Sequence, residues 1–318
     1  MSIAVVSGVL GQDGAYLTRL LTNAGHRVVG LVRKGRGGSA AESDVELIEW
    51  EMTDQGALER LLTQIGPTQF YNLAAFSSGA AMFDDPVAIG EINGLAVTRI
   101  LEAIRQVDPL IRFCQASSSE MFGNAVESPQ RETTPFAPRT PYGSAKLYAH
   151  WMINNYRHRY GLFGCSAILF NHESPLRAPH FVTRKVTEAA ASISLGLSVA
   201  VTLGNLDARR DWGFAGDYAR AMMLMLNAEA PDDYVLATGE THSVRELCEA
   251  AFGHVGLDYR DHVRTDMADF RSDERRQLVG DATKARRELD WTPSLTFQDL
   301  VKMMVDANLE RLRSEVKI

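Results

Sequence analysis

The stretch 3-IAVVSGVLGQDGAYLTRLLTNAG-25 constrains the fold more than any other in the chain. A β-branched run at 3–7 ends at a glycine, and a segment of helical period follows from 13 to a stop at Gly25. Between them stand Gly8, Gly11 and Gly14. Glycines so placed permit a tight turn, close backbone approach and a close helix–sheet contact, with the first helix amides aimed at a pyrophosphate. Spacing alone is a weak signal. Its position between a strand and a helix is what predicts a dinucleotide site.

Strand and helix patterns then alternate. Residues 27–32, 47–52, 69–75 and 111–117 predict strands, and 55–65 and 92–107 predict helices. A helix over about 141–160 feeds a strand at 164–170, and 181–196 is a further helix. This order predicts an α/β fold, a Rossmann-type doubly wound parallel sheet with helices on both faces. The last hundred residues mix short elements, among them 233–239, 243–256 and 296–314. They predict a smaller C-terminal substrate-binding region interleaved with the sheet. The expected division is 1–170, mainly dinucleotide-binding, and 171–318, mainly substrate-binding, with some segments returning to the first part.

A net charge of −7 gives no support for a nucleic-acid surface, although a few arginines can still hold one phosphate pair. Cys114, Cys165 and Cys248 form no C-x-x-C pair and read as small buried hydrophobes, so neither a disulfide framework nor a metal is expected. No apolar run approaches membrane-spanning length, and the first residues lack the pattern of a signal peptide. A cytoplasmic protein without a membrane partner is the expectation.

Two patterns point to chemistry. The end of the second predicted strand, 30-GLVRKGRGG-38, carries no acid; Arg33, Lys34 and Arg36 there suit a 2′-phosphate, which favours NADP over NAD. Asp54, after the third strand, suits either the adenine edge or the cap of the helix at 55. Tyr142 and Lys146 stand four apart, on one helix face. A tyrosine near pKa 10 is a poor base until a neighbouring lysine charge favours tyrosinate. Ser118 and Glu120 follow the strand at 111–117, and the four residues form one candidate site.

The segments 8-GVLGQDGAYL-17, 115-QASSSEMFG-123, 141-PYGSAKLYAHW-151, 170-FNHESPLR-177, 181-FVTRK-185, 203-LGNLDARRDWGFAGDY-218 and 231-PDDYVLATGE-240 together resemble the extended short-chain dehydrogenase/reductase family, most nearly its GDP-mannose 4,6-dehydratases. The resemblance covers nearly the whole chain. It implies NADP as cofactor, GDP-mannose or a related nucleotide sugar as substrate, and a homodimer or homotetramer. It implies catalytic roles for Ser118 (threonine in most of the family), Glu120, Tyr142 and Lys146. Tyr142 would take the C4 hydroxyl proton as hydride leaves C4, and Lys146 would keep that tyrosine acidic. Ser118 would bond the C4 oxygen. Glu120 would take the C5 proton and help water leave from C6, a step that a simple dehydrogenase does not need.

Further cofactor contacts implied are Gly8, Gly11, Gln12, Asp13, Gly14, Leu73, Ala75 and Arg184, with Tyr142 and Lys146 shared. His172 reads either as loop support or as a cofactor contact. Substrate contacts implied are Asn171, Val182, Lys185, Leu203, Arg210, Arg271 and Glu274. The pattern departs from the family at Leu10, Phe76, Gly79 and Met82, where threonine, glutamine, valine and serine are usual, and at Asp290, where glycine is. The departures near the pocket leave a different nucleotide sugar, or an epimerase, as the alternative. A non-catalytic NADP-binding interaction protein is the reading from another class.

Overall fold

The structure, a computed structural model, describes residues 2–35, 45–76, 83–266 and 278–316; Arg36, Gly79, Met82, Arg271 and Glu274 lie outside the described residues. The first part of the chain runs β1 (Ile3–Ser7), α1 (Gln12–Asn23), β2 (Arg27–Val32), β3 (Glu46–Glu49), α2 (Gln55–Ile65), β4 (Gln69–Asn72), α3 (Pro86–Gly90), α4 (Ala96–Val107), β5 (Arg112–Ala116), α5 (Pro141–Tyr160) and β6 (Gly164–Leu169). Then come β7 (Asn171–Glu173), α6 (Val182–Ser194), β8 (Val201–Leu203), β9 (Arg209–Arg210), β10 (Trp212–Phe214), α7 (Ala215–Asn227) and β11 (Tyr234–Leu236). The chain closes with β12 (His242–Ser243), α8 (Val244–His254), α9 (Tyr259–His262), β13 (Val263–Thr265), α10 (Thr283–Leu289) and α11 (Phe297–Val316).

Seven strands form one sheet in the order β11-β6-β5-β4-β1-β2-β3. Every pairing in it is parallel. The run IAVVS is continuously apolar because helices cover both faces of the sheet. Ala4 and Val6 pack with Leu17 and Leu21 of α1 and Met222 and Met225 of α7. Val5 packs on the other face with Leu58 of α2, Ile100 of α4 and Ile153 of α5. The strand order reverses between β1 and β4, which opens a crevice at the carboxyl ends of those strands. No described helix is long and apolar enough to cross a membrane.

The later part of the chain contributes to both sides of that crevice. α6, α8 and α11 enclose a separate core around Val186, Leu247, Val301 and Trp212. Yet β11 extends the main sheet beside β6, and α7 lies against the sheet with α1. Asp211 ties these returns together. It is 1% exposed and accepts from the Thr238 amide (2.9 Å) and hydroxyl (2.6 Å), the Gly239 amide (3.0 Å) and the Gly280 amide (3.2 Å).

Three elements differ from the sequence expectation. The helix expected from 92 begins at Pro86, where Asp85 caps the Ala88 amide (2.9 Å), and it carries a π-turn at Glu91–Leu95. Proline after a capping aspartate is a start signal that the apolar period does not register. β4 ends at Asn72 because the Leu73 amide still bonds the Ser7 carbonyl (3.2 Å) while the chain bends over the turn that follows β1. β11 spans only three of the seven residues expected at 233–239, since the carboxylate of Asp211 takes over the amides of Thr238 and Gly239.

Asp290 occupies the left-handed position that closes α10, with φ 49° and ψ 39°. A glycine would adopt it without a Cβ conflict. Asp290→Gly is expected to raise stability by about 0.5–1 kcal/mol, the left-handed cost exceeding the extra chain entropy of glycine; urea denaturation of the two proteins checks it.

Candidate active site

The turn between β1 and α1 lies at the mouth of the crevice. Gly8 has φ +72°, and a Cβ there would stand 2.7 Å from the Ala74 amide nitrogen, so glycine lets the segment after β4 cross close over the turn. α1 starts without a side-chain cap on Gly11. Its first amides are left for an outside partner. A Cβ at Gly11 would meet only the Gly8 carbonyl, at 3.2 Å, so the space above this residue is open. The turn therefore fits a phosphate group. Leu73 is half-buried and Ala75 exposed beside it.

The side chains of Gln12 and Asp13, expected to meet cofactor, hold protein groups. Gln12 donates to the His172 carbonyl (3.0 Å) and accepts from the Ser174 hydroxyl (2.8 Å). Asp13 pairs with His172 Nε2 at 3.0 Å, and His172 Nδ1 faces the Phe170 carbonyl at 2.8 Å. Both ring nitrogens thus face acceptors, and the ring stacks 4.8 Å from Tyr218. Burial pulls the pKa of His172 down, but the charge and hydrogen bond of Asp13 outweigh it and leave it raised. Burial likewise pushes Asp13 up, and His172 more than reverses that.

A base whose pKa is higher folded than unfolded stabilises the fold most below the unfolded value, about 6.5 for histidine, and loses that contribution as pH rises through the folded value. His172→Gln is therefore expected to be less stable than the wild type at pH 6, with the gap narrowing as pH rises above about 6.5. Denaturation midpoints across pH measure it.

Tyr142, Lys146, Ser118 and Glu120 come together at the carboxyl end of β5. Thr140 caps α5 by accepting from the Gly143 amide (3.0 Å), with Pro141 in the first turn. A Cβ on Gly143 would lie 2.6 Å from the Glu120 carbonyl oxygen, so glycine allows α5 to press onto the turn at Ser119–Met121. Ser118 Oγ accepts from the Glu120 amide (3.2 Å) and lies near enough to the Tyr142 phenol to favour its ionised form. Burial pushes Tyr142 up to about 12, Ser118 partly offsets this, and the charge of Glu120 adds to the rise. Burial alone pulls Lys146 down to about 8. Its Nζ donates to the Ala116 carbonyl at 2.8 Å and lies 5.7 Å from the Tyr142 ring centroid. Glu120 is partly exposed.

Other expected residues are placed as follows. Asn171 opens β7, Val182 opens α6 and Lys185 is exposed on the first turns of that helix. Arg210 is half-buried in β9. Arg184 points its guanidinium at the backbone carbonyls of Pro175 and Arg177, so it braces the 174–177 loop. Leu203 is 2% exposed within the core of the later helices, and its carbonyl accepts from the Asp266 amide. Its side chain packs in that core. Asp54 caps α2 by accepting from the Ala57 amide (2.8 Å). Arg33 and Lys34 are exposed at the end of β2, where the Lys34 amide donates to Glu51 (3.1 Å). Among the described residues no group of histidines, cysteines and acids is arranged to hold a metal.

Sequence reasoning misses two residues. Arg177 bears electrostatically on Asp13, His172 and Tyr142, and its guanidinium covers the Phe181 ring at 3.5 Å. Asn93, 1% exposed in the π-turn, clasps Phe76 by accepting from its amide (3.0 Å) and donating to its carbonyl (3.1 Å). Only the π-turn, invisible to an apolar period, presents Asn93 this way.

The family model described as GDP-mannose 4,6 dehydratase matches residues 5–304. GDP-mannose 4,6 dehydratase 1 of Arabidopsis thaliana is 46% identical over 98% of this chain and 91% of its own length. The crystal structure of a UDP-glucose 4-epimerase from Thermotoga maritima with UDP-glucose superposes with TM-score 0.88 at 22% identity, covering 98% of this chain and 99% of that one. That of the Thermus thermophilus UDP-glucose 4-epimerase in complex with NAD gives 0.84 at 26% identity, covering 96% and 98%.

Proposed function

Because the chain belongs to the GDP-mannose 4,6-dehydratase family, we propose that it converts GDP-mannose to GDP-4-keto-6-deoxymannose, with loss of water and internal transfer of hydride from C4 to C6. The observation that carries this beyond family membership is Glu120, whose amide donates to the Ser118 hydroxyl (3.2 Å) and whose charge bears on the Tyr142 phenol. An oxidation at C4 needs only the tyrosine and lysine. Removal of the C5 proton and expulsion of the C6 hydroxyl need a carboxyl group within reach of both.

The cofactor we assign is NADP. Gly8, Gly11 and Gly14 would hold its pyrophosphate at the start of α1, and Arg33 and Lys34 stand at the end of a strand that offers no carboxylate. When bound, the oxidised nicotinamide supplies a positive charge and a hydride acceptor. Lys146 would hold the ribose hydroxyls and lend its charge to Tyr142, whose buried phenol otherwise keeps its proton. Tyr142 then takes the proton of O4, and Ser118 bonds the same oxygen. The C4 ketone acidifies C5–H; Glu120 takes that proton and delivers one to the leaving C6 hydroxyl.

Asn171 and Lys185 would meet the sugar diphosphate, with Arg210, Arg271, Val182 and Glu274 around phosphates, ribose and base. Phe76 is 38% exposed at the crevice, its backbone held by Asn93. It presents a ring where a hydrogen-bonding side chain is usual, and so bears on which sugar is accepted. Leu95 of the π-turn and Tyr148 and Trp151 of α5 expose apolar surface, which supports self-association of this chain.

Incubation with GDP-mannose and catalytic NADP is expected to give a product lighter by one water with no net NADPH. A product of unchanged mass supports the epimerase alternative. NAD supporting turnover as well as NADP does would contradict the role given to Arg33 and Lys34.

A further inference from the structure

A row of buried polar side chains crosses the centre of the sheet at one level. Ser7 of β1, Asn72 of β4 and Gln115 of β5 are register partners, and each is at most 1% exposed. The Ala74 amide donates to Ser7 Oγ (3.3 Å), and the Ser7 hydroxyl donates to Asn72 Oδ1 (2.5 Å). Asn72 Nδ2 donates to Gln115 Oε1 (2.8 Å), and Gln115 Nε2 donates to the Ala116 carbonyl (2.8 Å). Lys146 Nζ donates to that same carbonyl at 2.8 Å. Every donor in the row points one way, from the segment over the glycine turn toward Lys146. Turning either carboxamide would set NH₂ against NH₂ or oxygen against oxygen, so the bonding fixes both orientations.

Fold stability does not call for such a row. The centre of a parallel sheet is ordinarily apolar, and each buried polar group left unpaired costs about 1–3 kcal/mol. The position of its end suggests another use. Ala116 offers its carbonyl to a lysine that is 2% exposed and belongs to the site. A carbonyl that already accepts from Gln115 is a weaker acceptor for the ammonium, and bonds in such chains polarise one another.

We propose that Gln115, oriented through Asn72 by Ser7, is a positioning residue for Lys146 that sets the pH at which Tyr142 works as a base. This rests on the reading of Tyr142 and Lys146 as the acid–base pair. The other groups bearing on Tyr142 are Ser118, Glu120, Arg177 and Asp13, and none is altered in the variants that follow.

The test is the kcat–pH profile for GDP-mannose in Gln115→Leu, Ser7→Ala and Ser7→Thr. Without Gln115, the Ala116 carbonyl, whose peptide plane the Ser117 amide holds by its bond to the Ala167 carbonyl (2.8 Å), becomes a stronger acceptor for the ammonium and holds the Lys146 charge away from Tyr142. The acid limb is expected to move up by about one pH unit, a loss of about 10-fold near neutral pH that is recovered at high pH, with little change in KM. Ser7→Ala shifts the limb the same way by less, and Ser7→Thr, which keeps the hydroxyl, restores it. A limb that stays at the wild-type pH in both loss variants overturns the proposal even if melting temperatures fall, because a merely structural role would produce that. A shift in Gln115→Leu without one in Ser7→Ala overturns the relay along the row. If Gln115→Leu does not fold, Ser7→Ala alone decides. Lys146→Met in the same series separates the premises: wild-type kcat there sinks the acid–base reading rather than the row.

Discussion

Tyr142→Phe is expected to lower kcat for GDP-mannose by about 10²–10⁴-fold, the range that a positioned proton acceptor supplies. In the proposed mechanism the phenol takes the O4 proton, and the change removes a single oxygen from a residue that is 8% exposed. The ring stays packed against Ala145 and Ile89, so the fold should be kept. Ser118 still accepts from the Glu120 amide. Cofactor affinity measured by titration should change by no more than a few-fold, because Lys146 and the glycine turn are untouched. A variant that keeps most of its kcat would move the base elsewhere.

Glu120→Gln separates the two halves of the reaction. The carboxamide has the same shape but cannot take a proton from C5. Dehydration is expected to fall by about 10²–10⁴-fold, while oxidation at C4 continues. In D₂O the wild type should place solvent deuterium at C5, and Glu120→Gln should not. If the variant still exchanged C5 and released water, Glu120 would be a surface acid beside a turn, and the case for dehydration over epimerisation would rest on family membership alone.

Much of this is readable from the sequence, for physical reasons. A parallel strand covered on both faces has to be continuously apolar, so β1 and β2 announce themselves. Gly8 and Gly14 at the first turn answer to geometry that no other residue permits, as the 2.7 Å approach of Ala74 to a Cβ on Gly8 makes plain. Tyr142 and Lys146 are close in sequence, and a helix fixes their common face. Ser118 and Glu120 join them because Gly143 lets α5 reach the turn after β5. At Asp290 the sequence shows only a departure from glycine, and it is the positive φ that makes this residue a strained cap.

What is not legible depends on distant partners. Asp13 and His172 are 159 residues apart, and nothing local to either says that the two charges meet. Ser7, Asn72 and Gln115 are ordinary strand ends until the strand order sets them side by side. Leu203 stands inside a matched motif, yet side-chain direction in a three-residue strand depends on what packs against it. Arg177 and Arg184 illustrate the same limit. Both lie in matched segments, and only the fold shows that Arg184 braces the loop while Arg177 bears on Tyr142.

The most direct test of the central claim uses GDP-mannose carrying deuterium at C4. Internal transfer predicts a product that has lost one water and kept the label, now located at C6 by NMR, with the cofactor pool unlabelled. A product that has lost water but not kept the deuterium, or one that keeps its full mass, would contradict the account.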